Sequence, residues 1–362
     1  MLTNVKVKNA YSIGDLSLSF IKGKFAYKKE MIHNEIVNPC AIYGGNGSGK
    51  TSFINAINDL LNLLIGDKDT FYPLIANFTN KNEDSLIELT LKLDGAEYKY
   101  QVVTSFLNSK IVSEFLLKDN RAIFSRNEES VIVENKEYEV KSSLLLSLRE
   151  LYSIADELIE TKDDIKKVYN YLTNFTVVKD TVTSKLCSYK NVEELVVNSE
   201  EEIKRIISLW KDFPVYDFLR EEDGYYLDLY KTGRDKFRMP GFLISDGMLT
   251  INKILAIMLN LDRNSVLFID CIEKNLHPSS VLHLIREAQK RDIQLIFTSH
   301  NTSLMQEFRP DQIYFARWNK GVSYYFRLSN IYDNIREINN IEKMYLSNTF
   351  EEVINQIISV EK

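Results

Sequence analysis

The run Gly44-Gly45-Asn46-Gly47-Ser48-Gly49-Lys50-Thr51 sets a lysine and a hydroxyl directly behind a cluster of glycines. It satisfies the pattern G-x-x-x-x-G-K-[ST], whose chemistry is the holding of a phosphate chain. Glycines let the backbone curl until successive N–H groups point inward at anionic oxygens. A helix starting at the end of such a loop adds the partial positive charge of its N-terminus. In that geometry Lys50 would bridge the β- and γ-phosphates of a nucleotide, and the Thr51 hydroxyl would ligate Mg²⁺. The candidate ATP-binding residues are therefore Gly44, Asn46, Gly47, Ser48, Gly49, Lys50, Thr51 and Ser52. The plainer reading is a glycine-rich turn before an ordinary helix.

Three further elements carry candidate chemistry. The apolar run Ser265-Val266-Leu267-Phe268-Ile269 ends in Asp270, which puts an acid at the carboxyl end of a buried strand, where ligands of open α/β sheets sit. Ser245-Asp246-Gly247 stands immediately before a helical pattern. It is read either as an anion site made of hydroxyl and backbone donors or as simple N-capping. His300 follows the strand-like run Gln294–Thr298 and is placed to approach a γ-phosphate from the side; a solvent-exposed loop histidine is the alternative.

These residues need a particular frame. The apolar Cys40-Ala41-Ile42-Tyr43 leads into the phosphate loop as a buried strand, and a helix is expected over 52–64. Strands are expected at Val5–Val7 and Leu16–Phe20, then in a β-rich stretch at Leu86–Leu93, Tyr98–Val103, Lys110–Leu117 and Val131–Val140. From about Ser142 to Lys211 the spacing turns helical, at Leu144–Asp156 and Glu200–Trp210. A hairpin, Tyr225–Tyr230 and Lys236–Met239, then leads into α/β alternation: helix Met248–Leu259, strand Val266–Ile269, helix Ser280–Lys290, strand Gln294–Thr298, a helix, and strand Gln312–Phe315. That alternation marks a sheet with a parallel core. The expected organisation is an N-terminal half of the core with a β subdomain (1–141), a helical insertion (142–222), a C-terminal half of the core (223–330) and a helical tail (331–362).

Composition narrows the partners. The 362 residues are 44% hydrophobic and 27% charged with a net charge of −6, so no global basic field points to nucleic acid or an anionic membrane. A local basic strip remains compatible with this balance. Cys40, Cys187 and Cys271 form no paired framework, and the histidines show no metal-ligand spacing. No apolar leader or membrane-length run is present, and a cytoplasmic location is expected.

The order of the motifs resembles that of ATP-binding-cassette (ABC) ATPases: phosphate loop, long insertion, Ser-Asp-Gly helix, Asp strand, then His after the next strand. Within them it resembles the SMC/RecF-like branch. The details are most similar to small OLD-like AAA ATPases of bacterial anti-phage operons, through Leu276-His277-Pro278 and Thr298-Ser299-His300 as well as the Ser-Asp-Gly element. The resemblance covers roughly residues 1–64 and 223–318. It implies an ABC-type P-loop NTPase core of class α/β, a mixed sheet with a parallel core, an antiparallel β subdomain and a helical insertion. It also implies ATP and Mg²⁺ as cofactors, with Thr51 and Asp270 on the metal side and Asp270 and His300 catalytic. Ser245, Asp246 and Gly247 would reach a partner chain's ATP across a two-fold axis, predicting a homodimer or higher even oligomer.

The stretch after Trp318 is too short for the TOPRIM nuclease domain of OLD-type enzymes, so a nuclease or toxin activity is expected in a separate effector protein. A RecF-like DNA-repair ATPase that binds nucleic acid is the competing reading. A transporter ATPase fits least, because the Leu-Ser-Gly-Gly-Gln type signature and membrane segments are missing. The glutamine that usually contacts Mg²⁺ in these ATPases is not placed; Gln101 lies inside a strand-like run.

One departure from the family pattern bears on catalysis. The pattern has Glu after the strand-end Asp, and this chain has Cys271. A neutral thiol is a poor substitute for a carboxylate base, which contributes about 10²–10⁴-fold. Glu273 would reach the site only through an unusual turn and is read as a solvated loop acid. Slow hydrolysis is expected on this basis.

Overall fold

Alternating apolar residues at the start of the chain build a hairpin in the computed structural model. The structure describes residues 1–66, 74–140, 142–179, 182–183, 192–210, 216–221, 224–230, 236–240, 245–332 and 334–360. Strands β1 (Leu2–Ala10) and β2 (Ile13–Ser19) pair antiparallel and turn Val5, Val7, Leu16 and Leu18 inward. The short β3 (Ile32–His33) and β4 (Ile36–Val37) pair with each other. Next, β5 (Cys40–Tyr43) is buried along its whole length, as a strand covered on both faces must be. It feeds α1 (Lys50–Ile65), two residues earlier than the apolar spacing indicated, because the helix starts inside the phosphate loop itself.

An antiparallel arm follows: β6 (Ser85–Leu93), β7 (Ala96–Ser105), β8 (Lys110–Lys118), β9 (Arg121–Arg126), β10 (Ser130–Val133) and β11 (Lys136–Glu139). Two expectations change here. The single strand expected over Val131–Val140 is a tight hairpin, folded back at Glu134–Asn135, both in the left-handed region (φ 51° and 60°). Such turns match the twist of flanking strands. The unexpected β9 is separated from β8 by a similar turn at Asp119–Asn120.

The segment expected as a helical insertion is only partly helical. It holds α2 (Ser147–Ser153) and α3 (Lys162–Thr173), then β12 (Phe175–Lys179) and the short β13 (Val182–Thr183). Helices α4 (Val192–Asn198) and α5 (Glu200–Ile207) come next. Strand β12 pairs parallel with a strand of the second half of the core, so this stretch contributes to the central sheet. Its run Phe-Thr-Val-Val is short, continuous and β-branched, and lacks the period that would mark it out between two helical stretches. The expected hairpin is part of a three-stranded sheet, β14 (Tyr216–Glu221), β15 (Gly224–Tyr230) and β16 (Lys236–Pro240). The turn at Gly233 lies outside the described residues, as do Leu243, Ile244 and Cys187.

The second half alternates as read: α6 (Asp246–Asn260), β17 (Val266–Ile269), α7 (Pro278–Lys290) and β18 (Gln294–Ser299). The expected next helix is a 3-10 turn at Thr302–Glu307, after which come β19 (Ile313–Asn319) and the unforeseen β20 (Val322–Arg327). The tail is helical: α8 (Leu328–Ile331), α9 (Ile341–Leu346) and α10 (Glu351–Val360).

Among the described residues one fifteen-stranded sheet runs β11-β10-β9-β8-β7-β6-β1-β2-β20-β19-β5-β18-β17-β12-β13. From β19 to β12 neighbouring strands are parallel, and they carry the phosphate loop and Asp270 on one edge. One face of this core is covered by α1, with Phe53 edge-on to Phe268. The other is covered by α6, α7 and the tail. No helix among the described residues is long and apolar enough to cross a membrane.

A fully buried ion pair anchors the loop between β2 and β3. Arg309 donates Nε and Nη2 to the two carboxylate oxygens of Asp311 at 2.9 and 2.8 Å, and also donates to the carbonyls of Phe25 and Tyr27. Asp311 in turn accepts from Gly23 N–H, and neither charged side chain reaches solvent. Removing one partner strands the other charge, so Asp311→Ala is expected to cost about 3–5 kcal/mol in urea denaturation.

Candidate functional site

The phosphate loop leaves β5 at Gly44, where any Cβ would lie 2.5 Å from both the Ala316 carbonyl and Ser48 Oγ. Gly47 and Gly49 take φ of 72° and 99°, the left-handed region in which glycine is favoured. Gly49 is also crowded, since an added Cβ would sit 2.2 Å from Ser323 Oγ. Tyr325 donates its hydroxyl to the Gly49 carbonyl at 2.6 Å, and Ser12 Oγ lies 2.8 Å from Ser52 Oγ and 2.7 Å from Ser323 Oγ. The β1–β2 turn and β20 thus brace the loop from below. Gly45, Asn46 and Gly47 form its open rim, while buried Ser48 Oγ has no hydrogen-bond partner.

Lys50 is buried, and its ammonium donates to the carbonyls of Gly44 and Gly45 at 2.8 and 2.9 Å. Burial pulls its pKa down, against the raising influence of Cys271, Asp270 and Glu273. His300 Nδ1 lies 3.4 Å from Lys50 Nζ. Burial and then the Lys50 charge lower the His300 pKa, so a neutral imidazole faces the ammonium at pH 7.

Asp270 is reached from both sides. Thr51 donates Oγ1 to Asp270 Oδ2 at 2.9 Å, and Thr298 donates Oγ1 to Asp270 Oδ1 at 2.5 Å. Thr51, Asp270, Lys50 and His300 therefore meet at one edge of the parallel core. A threonine hydroxyl beside a carboxylate is a hard-oxygen pair suited to Mg²⁺, which takes one or two such protein ligands and completes its shell with phosphate and water. The orphaned Ser48 hydroxyl and the open rim at Gly45 and Gly47 fit a triphosphate held in the same cradle.

The turn after Asp270 is the unusual one that Glu273 required. Cys271 adopts φ 52°, with its N–H donating to Thr298 Oγ1 at 2.8 Å. Ile272 then plunges into the core, and its N–H bonds the Thr298 carbonyl. The chain swings back, so that Glu273 Oε1 accepts the His300 backbone N–H at 2.6 Å. The reading of Glu273 as a solvated loop acid is corrected: its Oε2 is buried and lacks a partner. The Cys271 thiol is pushed up by burial and by the Asp270 and Glu273 charges, which keeps it neutral.

Ser245 is exposed and accepts Met248 N–H at 3.3 Å, capping α6; Asp246 is exposed beside it. Gly247 packs on the following loop, since a Cβ there would lie 2.7 Å from the Asn275 carbonyl. The capping reading holds, and the helix N-terminus also opens outward. His277 caps α7 ahead of Pro278, a helix-start role.

The family described as "AAA domain, putative AbiEii toxin, Type IV TA system" matches residues 40–306. The chain belongs to this family. The matched stretch begins with β5 and contains the phosphate loop, Ser245, Asp270, Glu273 and His300, while the bracing Ser12, Ser323 and Tyr325 lie outside it. No curated protein matches this AAA-domain chain in sequence. Among solved structures it is similar to the SMC head domain from Thermotoga maritima, at 16% identity and a TM-score of 0.51, over 90% of this chain and 98% of that one. It is also similar to SmcHead in the crystal structure of SmcHead bound to the C-winged helix domain of ScpA, at 15% identity and a TM-score of 0.50, over 91% and 99% of the two chains. At these identities the likeness is one of fold: this AAA-domain protein has the mixed α/β fold of an SMC head, the ABC-type P-loop fold.

One site element escaped the sequence. Strand β12 pairs Val178 with Ile269, and Asp270 N–H donates to the Val178 carbonyl at 2.9 Å, so Lys179 ends its strand beside Asp270. Gln101 sits mid-strand in the arm, between Glu88 and Phe115. The Lys179 charge is felt by Asp59, a buried α1 residue that accepts the Tyr11 hydroxyl. Burial pushes the Asp59 carboxyl up to about 6, opposed by the Tyr11 hydrogen bond and by Lys179. An acid raised in this way stabilises the fold fully below its unfolded value of 3.8 and loses that contribution as pH rises through about 6. Asp59→Asn is expected to flatten this part of the stability profile, read as urea midpoints between about pH 4 and pH 6.

Proposed function

We propose that the protein is an ATP-binding ATPase that dimerises around its nucleotide. The observation that carries this reading is the convergence of Lys50, Thr51, Asp270 and His300 at one sheet edge, two of them from the start of α1 and two from separate strand ends. Gly44–Ser52 would hold the triphosphate, Lys50 its terminal phosphates, and Thr51 with Asp270 the Mg²⁺ side. Bound Mg²⁺ would draw negative charge off the phosphates. Exposed Ser245 and the α6 N-terminus, with Asp246 and Gly247, would meet the γ-phosphate of a partner chain.

Three expectations test the two halves of this reading. Lys50→Ala should weaken ATP about 10- to 100-fold in calorimetry, the usual scale for hydrogen bonds to charged groups. Size-exclusion chromatography with light scattering should give a dimer mass with Mg²⁺-ATP and a monomer mass with ADP. Ser245→Arg should keep ATP affinity within about 2-fold, since it sits outside the cis cradle, yet abolish the dimer. An ATP-independent mass, or loss of ATP affinity in Ser245→Arg, would count against the shared site.

We further place the protein as the regulatory component of a bacterial defence system, acting through a separate nuclease or toxin. The toxin–antitoxin description of the family supports this reading. The net charge of −6 weighs against a RecF-like DNA-repair role.

A further inference from the structure

We infer that Glu273 is the carboxylate that takes the proton of the attacking water in ATP hydrolysis, replacing the acid that Cys271 does not supply. This rests on the ATP-binding reading above and assigns the reacting group within it. Two acids stand on the turn beside Lys50 and His300, and they differ in how they are used. Asp270 has both oxygens bonded, to Thr51 and Thr298. Glu273 spends only Oε1, on the His300 N–H, and leaves Oε2 buried and unbonded. A buried carboxylate oxygen without a donor is costly unless a water or substrate group occupies it.

The backbone explains how this acid arrives there. The left-handed Cys271 and the anchoring of Ile272 in the core fold residues 271–274 into a tight turn, closed by Lys274 N–H to the Cys271 carbonyl. That turn directs the third residue past Asp270, rather than the first, toward the His300 loop. The carboxylate's one bonded oxygen is held at the His300 N–H, at the edge of the phosphate site. Its charge acts on Lys50, Cys271 and His300, and on the buried phenol of Tyr43 just before the loop. The Tyr43 hydroxyl is itself buried and without a partner, a second polar atom at this place able to bind water.

The step balances simply. The water oxygen bonds to the γ-phosphorus as the bond from that phosphorus to the β–γ bridging oxygen breaks. Its electron pair stays on the departing ADP, and the water proton passes to Glu273 Oε2, leaving ADP and inorganic phosphate. The bond from Oε1 to His300 holds the base against the residue that flanks Lys50.

Single-turnover hydrolysis of ATP by the full chain, with ATP affinity measured in parallel, tests the assignment. Glu273→Gln keeps the acceptor for His300 N–H and removes the base. Turnover should fall about 10²–10⁴-fold with ATP affinity within about 3-fold of wild type. Glu273→Asp keeps the charge but draws it back by one methylene, and is expected to lose about 10²-fold in turnover. It serves as the second variant should the glutamine form fold poorly. Unchanged turnover in Glu273→Gln or Glu273→Asp overturns the assignment. ATP binding by wild type without any turnover overturns the Glu273 assignment and the hydrolysis it serves but leaves the ATP-bound dimer standing, whereas absence of ATP binding overturns the whole function it rests on.

Discussion

Asp270 accepts a hydroxyl from Thr51 on one oxygen and from Thr298 on the other, while Thr298 also receives the Cys271 N–H. These bonds tie together the ends of three structural units: the helix leaving the phosphate loop, the acidic strand, and the strand that carries His300. The strand registers set their relative height at the sheet edge, and this small ladder joins the side chains presented there. Short hydrogen bonds to an ionised acceptor are among the stronger ones, and here they also hold the carboxylate in a single orientation. The Cys271 turn, the swing of Glu273 and the placing of His300 all start from it.

The phosphate loop has a second support that comes from far away in sequence. β20 returns from the C-terminal half to lie between β19 and β2, joining the parallel core to the antiparallel arm. From it Ser323 and Tyr325 reach the underside of Gly49, and Ser12 links Ser323 to Ser52. Gly49 is thus confined twice, by its φ of 99° and by the absence of room for a Cβ. The loop is held rigid by residues that carry no phosphate chemistry, which suits a site that must present several donors at once.

The motif-bearing strands β5, β17 and β18 were legible because their apolar runs are bounded by residues with evident roles. β12, β9 and β20 were not. β12 is short, buried on both faces and flanked by helical periodicity, so its local pattern resembles a piece of buried helix. β9 and the β10–β11 hairpin depend on left-handed turns at Asp119–Asn120 and Glu134–Asn135, which lack the glycine that usually announces them. β20 is rich in tyrosine and half-exposed, and only its partners β19 and β2 make it a strand.

The chemistry of the phosphate loop is local: consecutive glycines, a lysine and a hydroxyl dictate curl, charge and metal affinity wherever they are placed. The sequence by itself therefore determined the nucleotide cradle, the acid at the end of β17 and the parallel core that presents them. What Glu273 does was decided elsewhere. Its reach depends on the Cys271 backbone angle, the burial of Ile272 and the position of His300 on a neighbouring strand, none of which is encoded within the few residues around it. Lys179 came beside Asp270 for the same reason, since pairing between strands far apart in the chain is set by the packed sheet as a whole.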